Sequence, residues 1–423
     1  MIWCRSHYAQ ALDGAVRKSF SERVGATPQK VIQEHARIAH GLYHPSYCTL
    51  PYLYAMPKVH RLETHRSPFR FIVGKSLKNQ VAAPPDAERW PLAVRNKNSL
   101  SSVRSHLATA LNSIIDVLVR FDNKRKIKRC WIVRDTQEFI DSIATMPNPT
   151  TFITRDFTTL YTNLDLDKVI AGVNRAIDDV VQPLADLLGV TTTTRVDGRD
   201  EREQNIYLTP DGAWHHGHDF ERGRVWSLRD IRRAVQACVT SAELMFDGRI
   251  FKQVSGIGMG HEECVGIANL YLYSIESRWV DAKVNELGEQ AVIDRYQGFL
   301  FHRRFVDDIF APGDLSSLPT EDDYDGLELA TTYQGTRVIY LGVQVSAEED
   351  RVRFRARDKQ QAFDFKIVRF PSWESCVPKA AKRGTIMSML TRTIRLTSDV
   401  SDLIDECRIM LQHFRDRHYP EPF

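Results

Sequence analysis

Apolar positions along the chain fall into helical and strand-like periods that alternate from end to end. Over residues 8–42, Val31, Ile32, Ala36, Ile38 and Ala39 recur near three- and four-residue spacing, which predicts helix. Pro51-Tyr-Leu-Tyr-Ala-Met-Pro57 and Phe69-Arg-Phe-Ile-Val73 predict two short strands around a polar loop. Residues 99–121 predict an amphipathic helix closed by the basic cluster Lys124–Arg129. Thr151 to Asp156 predicts a strand and Leu166 to Val181 a helix. Ser227 to Phe246 predicts another helix, with Asp230 placed three residues after Ser227 for a capping box. A glycine-rich turn and a helix over 262–280 follow. Phe301 to Phe310 then predicts a hairpin, Val338 to Val345 a strand, and 384–417 two helices.

Residues 188–224 break this order. They contain four consecutive threonines, mixed charges and Trp214-His-His-Gly-His-Asp219. Three close histidines suggest a metal, but no second ligand cluster accompanies them, so a polar surface insertion is the expectation.

With 423 residues the chain is long enough for two to four structural units. The net charge is only +3, yet its distribution is uneven. Residues 51–130 hold 16 Lys and Arg against 5 acids, and residues 351–423 hold 15 against 9. Residues 307–350 hold 11 acids and one base. Basic flanks around an acidic centre suit a molecule that grips phosphates at its rim and metal ions in its middle. Seven scattered cysteines without a CxxC pair argue against a zinc ribbon or disulfide framework and for a reducing compartment. No apolar run approaches the length of a membrane span, and the N-terminus lacks a secretory h-region. An intracellular protein with no membrane association is expected, and Lys124–Arg129 would serve nuclear import or RNA binding.

Phe305-Val306-Asp307-Asp308-Ile309-Phe310 carries the most chemistry. Two adjacent aspartates between strand-forming pairs suit a tight hairpin with the acids at its tip. Such carboxylates repel one another unless a cation is present, and a hard divalent ion accepts their oxygens. Asp156, at the end of a strand, is the candidate for a third ligand. The three would hold two Mg²⁺ ions about 4 Å apart, with Mn²⁺ as a possible substitute. A bare Asp-Asp pair is as a rule a solvated turn; flanking strands and a second strand-borne Asp weaken that reading.

Several segments resemble reverse transcriptases, and most closely the Penelope-like retroelement family. Phe305-Val-Asp-Asp308 resembles the family's aromatic-Val-Asp-Asp signature, and Asp156-Phe-Thr-Thr-Leu-Tyr-Thr-Asn163 its first palm motif. Lys252-Gln-Val-Ser-Gly-Ile-Gly-Met-Gly260 matches a Gln-x-x-Gly-x-x-Met-Gly element, continued by Ala268-Asn-Leu-Tyr271. Leu53-Tyr-Ala-Met-Pro-Lys-Val-His60 and Arg70-Phe-Ile-Val73 resemble its fingers. Tyr340-Leu-Gly-Val343 resembles a palm strand, and Pro378–Gly384, Arg392 and His418-Tyr-Pro420 its thumb. The matches run in the family's order across residues 45–420.

The resemblance implies an α+β right-hand polymerase. A helical extension (1–44) would precede fingers (45–150), an antiparallel palm (151–350, with the insertion 188–224) and a helical thumb (351–423). It implies an RNA-directed DNA polymerase that extends a DNA primer on an RNA template with deoxynucleoside triphosphates. Asp156, Asp307 and Asp308 would be catalytic and bind metal. Arg70, Lys75, Tyr161, Gln253 and Gly256 would contact the nucleotide, with Tyr161 beneath its sugar. Lys58, Lys379, Lys382 and Arg383 would follow nucleic-acid backbone. A telomerase-like cellular enzyme and an RNA-binding relic are the competing readings. The chain departs from the family at His261-Glu-Glu-Cys264, where a small residue and Pro are usual, and at Phe71 and Gly342, which replace Pro and Asp.

Overall fold

The computed structural model describes residues 5–40, 42, 50–57, 69–74, 100–147, 150–190, 195–196, 199–200, 205–217, 225–357, 368 and 370–420. They form two compact units. The first comprises Met1–Arg125, Thr159–Ala282 and Asp323–Leu327, and the second Lys126–Thr158, Lys283–Asp322 and Glu328–Phe423.

In the first unit the helical period over 8–42 is interrupted. Helix Arg5–Ser19 runs into a short strand, Phe20–Glu22, and a second helix, Pro28–Ile38, starts afresh. Gly25 at φ +74° turns the chain, and the Thr27 hydroxyl caps the second helix by accepting from the Lys30 N–H. Strand Phe20–Glu22 lies at one edge of a five-stranded sheet. It is followed in space by Arg249–Gln253, Glu243–Phe246, Tyr52–Pro57 and Phe69–Gly74. The last two strands pair antiparallel as the sequence predicts, Leu53 opposite Val73 and Ala55 opposite Phe71.

The segment expected to be one helix from Ser227 to Phe246 divides. The helix Leu228–Thr240 ends, and Glu243–Phe246 is a strand paired with Arg249–Gln253. Its start is as read: Ser227 and Asp230 form a complete capping box. The buried Glu243 carboxylate accepts from Arg23 Nη1 at 3.0 Å and pairs with His35 Nε2 at 2.7 Å, fastening the helix Pro28–Ile38 to the sheet. Helices Ser101–Asp122, Leu166–Leu188, Leu228–Thr240 and Cys264–Leu287 supply the remaining core. On Leu166–Leu188 the buried Val169, Val173, Ala176, Ile177, Val180 and Leu184 follow the helical period. Gly172 admits the neighbouring helix, since a Cβ there would stand 2.7 Å from the Tyr271 ring.

Within 188–224, expected to be a polar surface insertion, the described residues include the strands Arg195–Val196, Arg199–Asp200, Ile206–Leu208 and Trp214–His216. Ile206–Leu208 pairs with Trp214–His216 on one side and Trp226–Ser227 on the other. His215 and His216 stand opposite Tyr207 and Ile206, while His218 lies outside the described residues. Among the described residues no group of three His, Cys, Asp or Glu could hold a metal ion there or elsewhere.

The second unit is built on a four-stranded antiparallel sheet in the order Arg303–Phe305, Asp308–Pro312, Phe152–Phe157, Leu329–Gly335. The stretch expected as one strand over Val338–Val345 is instead a hairpin, Arg337–Tyr340 with Val343–Ala347. Its turn is Leu341-Gly342, at φ +48° and +76°. A glycine suits the second position because a side chain there is strained. Val352–Ala356 adds a third strand. Phe139, Phe152, Phe310, Tyr340, Val343 and Phe354 fill the core beside these sheets.

Helices Lys379–Arg395 and Val400–Arg415 close the chain. The second is tied to the strand Val352–Ala356 by charge. Arg353 Nη2 lies 2.7 Å from Asp402, and Arg355 Nε donates to Glu406 at 2.8 Å. Phe370, Ile386, Met410, Phe414 and Tyr419 form a small core of their own around both helices.

Candidate active site

The hairpin read from Phe301 to Phe310 is present and tight. Arg303 pairs with Phe310, Arg304 with Ile309 and Phe305 with Asp308, which leaves Val306 and Asp307 as a two-residue turn. Such turns need positive φ at the first position. Here that position is a valine at φ +55°, a conformation a β-branched residue resists. Residues held this way persist only where their surroundings over-determine them.

Two side chains do so. Tyr340, fully buried, accepts from the Phe305 N–H at 3.0 Å and donates its hydroxyl to the Asp308 carbonyl at 2.9 Å, bridging the closing pair. Burial, reinforced by the charge of Asp308, pushes that hydroxyl well above its usual range, so it stays protonated. Arg304, buried beneath the turn, donates Nη1 to the Val306 carbonyl at 3.1 Å. Sequence alone marks neither residue as part of the site. An aromatic before Leu-Gly and an arginine before the motif were visible, but nothing local tells where they point.

The strand Phe152–Phe157 lies beside this hairpin with Asp156 opposite Asp308. Directly opposed residues share a face, with Cβ atoms about 5 Å apart. The Phe157 N–H donates to the Asp307 carbonyl at 3.0 Å, which anchors the turn at the level of Asp156. The second unit thus brings the three carboxylates to one end of one sheet, all half-buried. As donors they are all oxygen, which fits a hard divalent cation. Their side chains are not gathered into a ready three-ligand set. What the fold supplies is the juxtaposition of backbone and donor chemistry.

Tyr161, Gln253 and Gly256 belong to the first unit, where the glycine turn and the short helix Leu160–Asn163 meet. Gly256, at φ +74°, donates its N–H to the Leu164 carbonyl at 2.7 Å, and Ile257 donates to the Tyr161 carbonyl at 2.8 Å. A Cβ on Gly256 would stand 2.3 Å from that same carbonyl oxygen. The glycine is therefore required by a backbone contact within the protein. The Tyr161 side chain is half-buried and stands outside the core. Gln253 does not face solvent: it is 5% exposed and its Nε2 donates to the Ser255 carbonyl at 3.1 Å, closing the turn. Beside this turn opens a cleft of about 500 Å³ lined by Asn163, Asp165, Thr240, Lys252 and Ser255 among others. Arg70 lies on the strand Phe69–Gly74 opposite Met56. Its side chain, Lys58 and Lys75 lie outside the described residues.

In the segment expected to be a thumb, one expectation is overturned. Lys382 is 1% exposed, with Nζ donating to the Trp373 carbonyl at 2.7 Å and the Ser375 carbonyl at 2.8 Å, beneath the Trp373 ring. A side chain so enclosed cannot follow a nucleic-acid backbone; it holds the small C-terminal core together. Lys379 and Arg383 are exposed. Lys382→Ala should accordingly lower thermal stability by about 2 kcal/mol, because two part-buried carbonyls lose their donor. Lys379→Ala removes only an exposed contact with the Trp373 ring, so it should cost less than about 1 kcal/mol of stability, and it should reduce the slope of log affinity for duplex against log salt by up to about one unit. A Lys382→Ala protein with the wild-type melting temperature would refute the structural assignment. The basic cluster Lys124–Arg129 is likewise partly absorbed into the fold: Ile127 is buried and the Lys128 N–H donates to the Gly298 carbonyl at 2.7 Å.

Residues 369–423 match the family described as the animal helix-turn-helix domain, in agreement with the two helices joined by residues 396–399. No curated protein matches the chain. Among solved structures, the telomerase of Candida albicans in complex with a TWJ fragment of telomeric RNA is 12% identical with a TM-score of 0.53. That match covers 98% of this chain and 60% of the telomerase. An apo telomerase of Candida tropicalis truncated from its C-terminal domain is 13% identical with a TM-score of 0.45, covering 82% of this chain and 59% of that one. The RNA-dependent RNA polymerase of BmCPV at its elongation state is 11% identical, with a TM-score of 0.35 and coverage of 81% and 26%. The first of these carries the assignment. The fold is that of a right-hand polymerase. The chain spans about three fifths of the length of the telomerases it matches. Among the described residues no helix is long and apolar enough to cross a membrane.

Proposed function

We propose that this chain is a reverse transcriptase, an RNA-directed DNA polymerase that extends a primer 3′-hydroxyl with deoxynucleoside triphosphates. The observation that carries the proposal is the antiparallel register of Asp308 against Asp156, with Asp307 in the adjoining turn. Asp156, Asp307 and Asp308 are the residues that would hold two Mg²⁺ ions. Such a pair, once bound, supplies the Lewis acidity that activates the attacking hydroxyl and neutralises the departing pyrophosphate. The protein's own part is to hold the carboxylates on one rigid hairpin and strand. Tyr340 and Arg304 secure the backbone of the turn that carries Asp307 and Asp308. Arg70 and Lys75 are assigned to the triphosphate, and Lys58, Lys379 and Arg383 to nucleic-acid backbone.

The Penelope-like motifs favour a retroelement origin. A telomerase-like cellular enzyme is the second reading, favoured by the likeness to the Candida albicans telomerase. Primer extension by the purified chain on a generic RNA template, with Mg²⁺ or Mn²⁺, supports the first. Extension confined to one bound RNA supports the second. Duplex binding without any extension in either metal would reduce the chain to an RNA-binding relic. A nuclear location is part of the proposal, since its primers are DNA, and imaging of the tagged chain tests it.

Tyr161 is assigned to sugar selection. A 2′-hydroxyl over its ring would overlap it, and an inserted group of that size costs about 1–3 kcal/mol, or about five- to 160-fold in rate. Tyr161→Ala should raise ribonucleotide incorporation by that factor while deoxynucleotide incorporation persists. A loss of both in parallel with melting temperature would instead mark Tyr161 as a packing residue.

A further inference from the structure

The segment that follows the glycine turn carries charge into the interior of the first unit. Arg104, on the helix Ser101–Asp122, is 4% exposed, and Glu263, just before the helix Cys264–Leu287, is 2% exposed. Arg104 Nε stands 3.3 Å from Glu263 Oε1, and Arg104 Nη1 stands 2.6 Å from Nε2 of the buried His261. A guanidinium only donates, so the imidazole nitrogen facing it accepts. Burial pushes the neighbouring Cys238 and Cys264 thiols upward, so neither offers a thiolate to the arginine. The other oxygen of Glu263 meets no hydrogen-bond donor.

An ion pair buried this completely contributes little to stability, because the cost of desolvating both charges is close to what their attraction returns. What it does is fix a place. His261 lies 3.1 Å from where a Cβ on Gly258 would be, and the Val73 N–H donates to the Met259 carbonyl at 2.7 Å. The Gly256 and Ile257 amides hold the carbonyls of Leu164 and Tyr161. One short segment is thus tied at its start to Tyr161, in its middle to the strand Phe69–Gly74, and at its end to Arg104 and Glu263.

We propose that Arg104, Glu263 and His261 are positioning residues that fix the segment Gly256–Gly260 and, through it, the backbone of Tyr161, so that they govern sugar selection without touching the nucleotide. The sugar-selection part rests on the assignment of Tyr161 made above. The test is amide hydrogen exchange on the full chain carrying Arg104→Met with Glu263→Leu, an apolar pair of similar size that spares the fold an unpaired charge. With the melting temperature held, the Gly256 and Ile257 amides should exchange at least about tenfold faster than in wild type. Ribonucleotide incorporation relative to deoxynucleotide should rise at least about threefold. Wild-type exchange at these two amides overturns the proposal. If the double variant fails to fold, Glu263→Gln serves: exchange faster at these amides than in the helix Leu166–Leu188 supports the proposal, and a uniform increase overturns it. Faster exchange with unchanged sugar selection leaves the positioning role in place and rejects the Tyr161 assignment instead.

Discussion

Asp156→Asn, Asp307→Asn and Asp308→Asn are each expected to abolish primer extension, lowering turnover by about three orders of magnitude or more. Each change keeps the side chain's shape and hydrogen-bonding size but removes the charge that a divalent ion requires. The hairpin and its partner strand are held by backbone pairing from Arg303 to Pro312 and from Phe152 to Phe157. The melting temperature should therefore stay within a few degrees, and affinity for a primer–template duplex should stay within about threefold. Single-turnover extension and duplex binding measured on the same preparations separate the two effects. Wild-type extension by any one mutant would exclude that aspartate as a ligand. If all three extend normally, the carboxylates are a solvated turn and the proposed function falls.

Tyr340→Phe is expected to have the next largest effect, although the residue touches no substrate in the proposed mechanism. The ring stays and its packing against Phe139 and Phe310 is kept. Only the hydroxyl is lost, and with it the bridge between the Phe305 N–H and the Asp308 carbonyl. Leaving such groups without their partner costs about 1–3 kcal/mol, and it does so at a turn whose valine already sits at φ +55°. If about 1.4–2.7 kcal/mol of that appears in the chemical step, turnover falls ten- to a hundredfold. The KM for deoxynucleotides and the duplex affinity should hardly move. Because burial keeps this hydroxyl protonated far into the alkaline range, its contribution should be constant from neutral pH upward until other groups ionise. A Tyr340→Phe enzyme with wild-type turnover would show that the hairpin needs no support from the neighbouring sheet.

The sequence by itself was enough for features whose cause lies within a few residues. The Phe301–Phe310 hairpin is legible because strand-forming pairs flank two acids, and the capping box because Ser227 and Asp230 satisfy each other locally. The strand that carries Asp156 and the two C-terminal helices are legible for the same reason. Errors arose where two local tendencies abut. The helical period from Ser227 runs on in composition through Phe246, but Glu243–Phe246 gains more from pairing with Arg249–Gln253 than from a further turn of helix.

Tertiary structure alone decided which charged and polar side chains are buried. Lys382 reads as one of several bases on an exposed helix, yet the carbonyls of Trp373 and Ser375 and the ring above them enclose it. Tyr340 acts on a residue 35 positions away, and Arg104 meets His261 across 157. A hydroxyl or guanidinium has the same local propensity whichever way it points. Its role is set by the desolvation of its surroundings and by the one partner the fold delivers, and neither is written in the residues beside it.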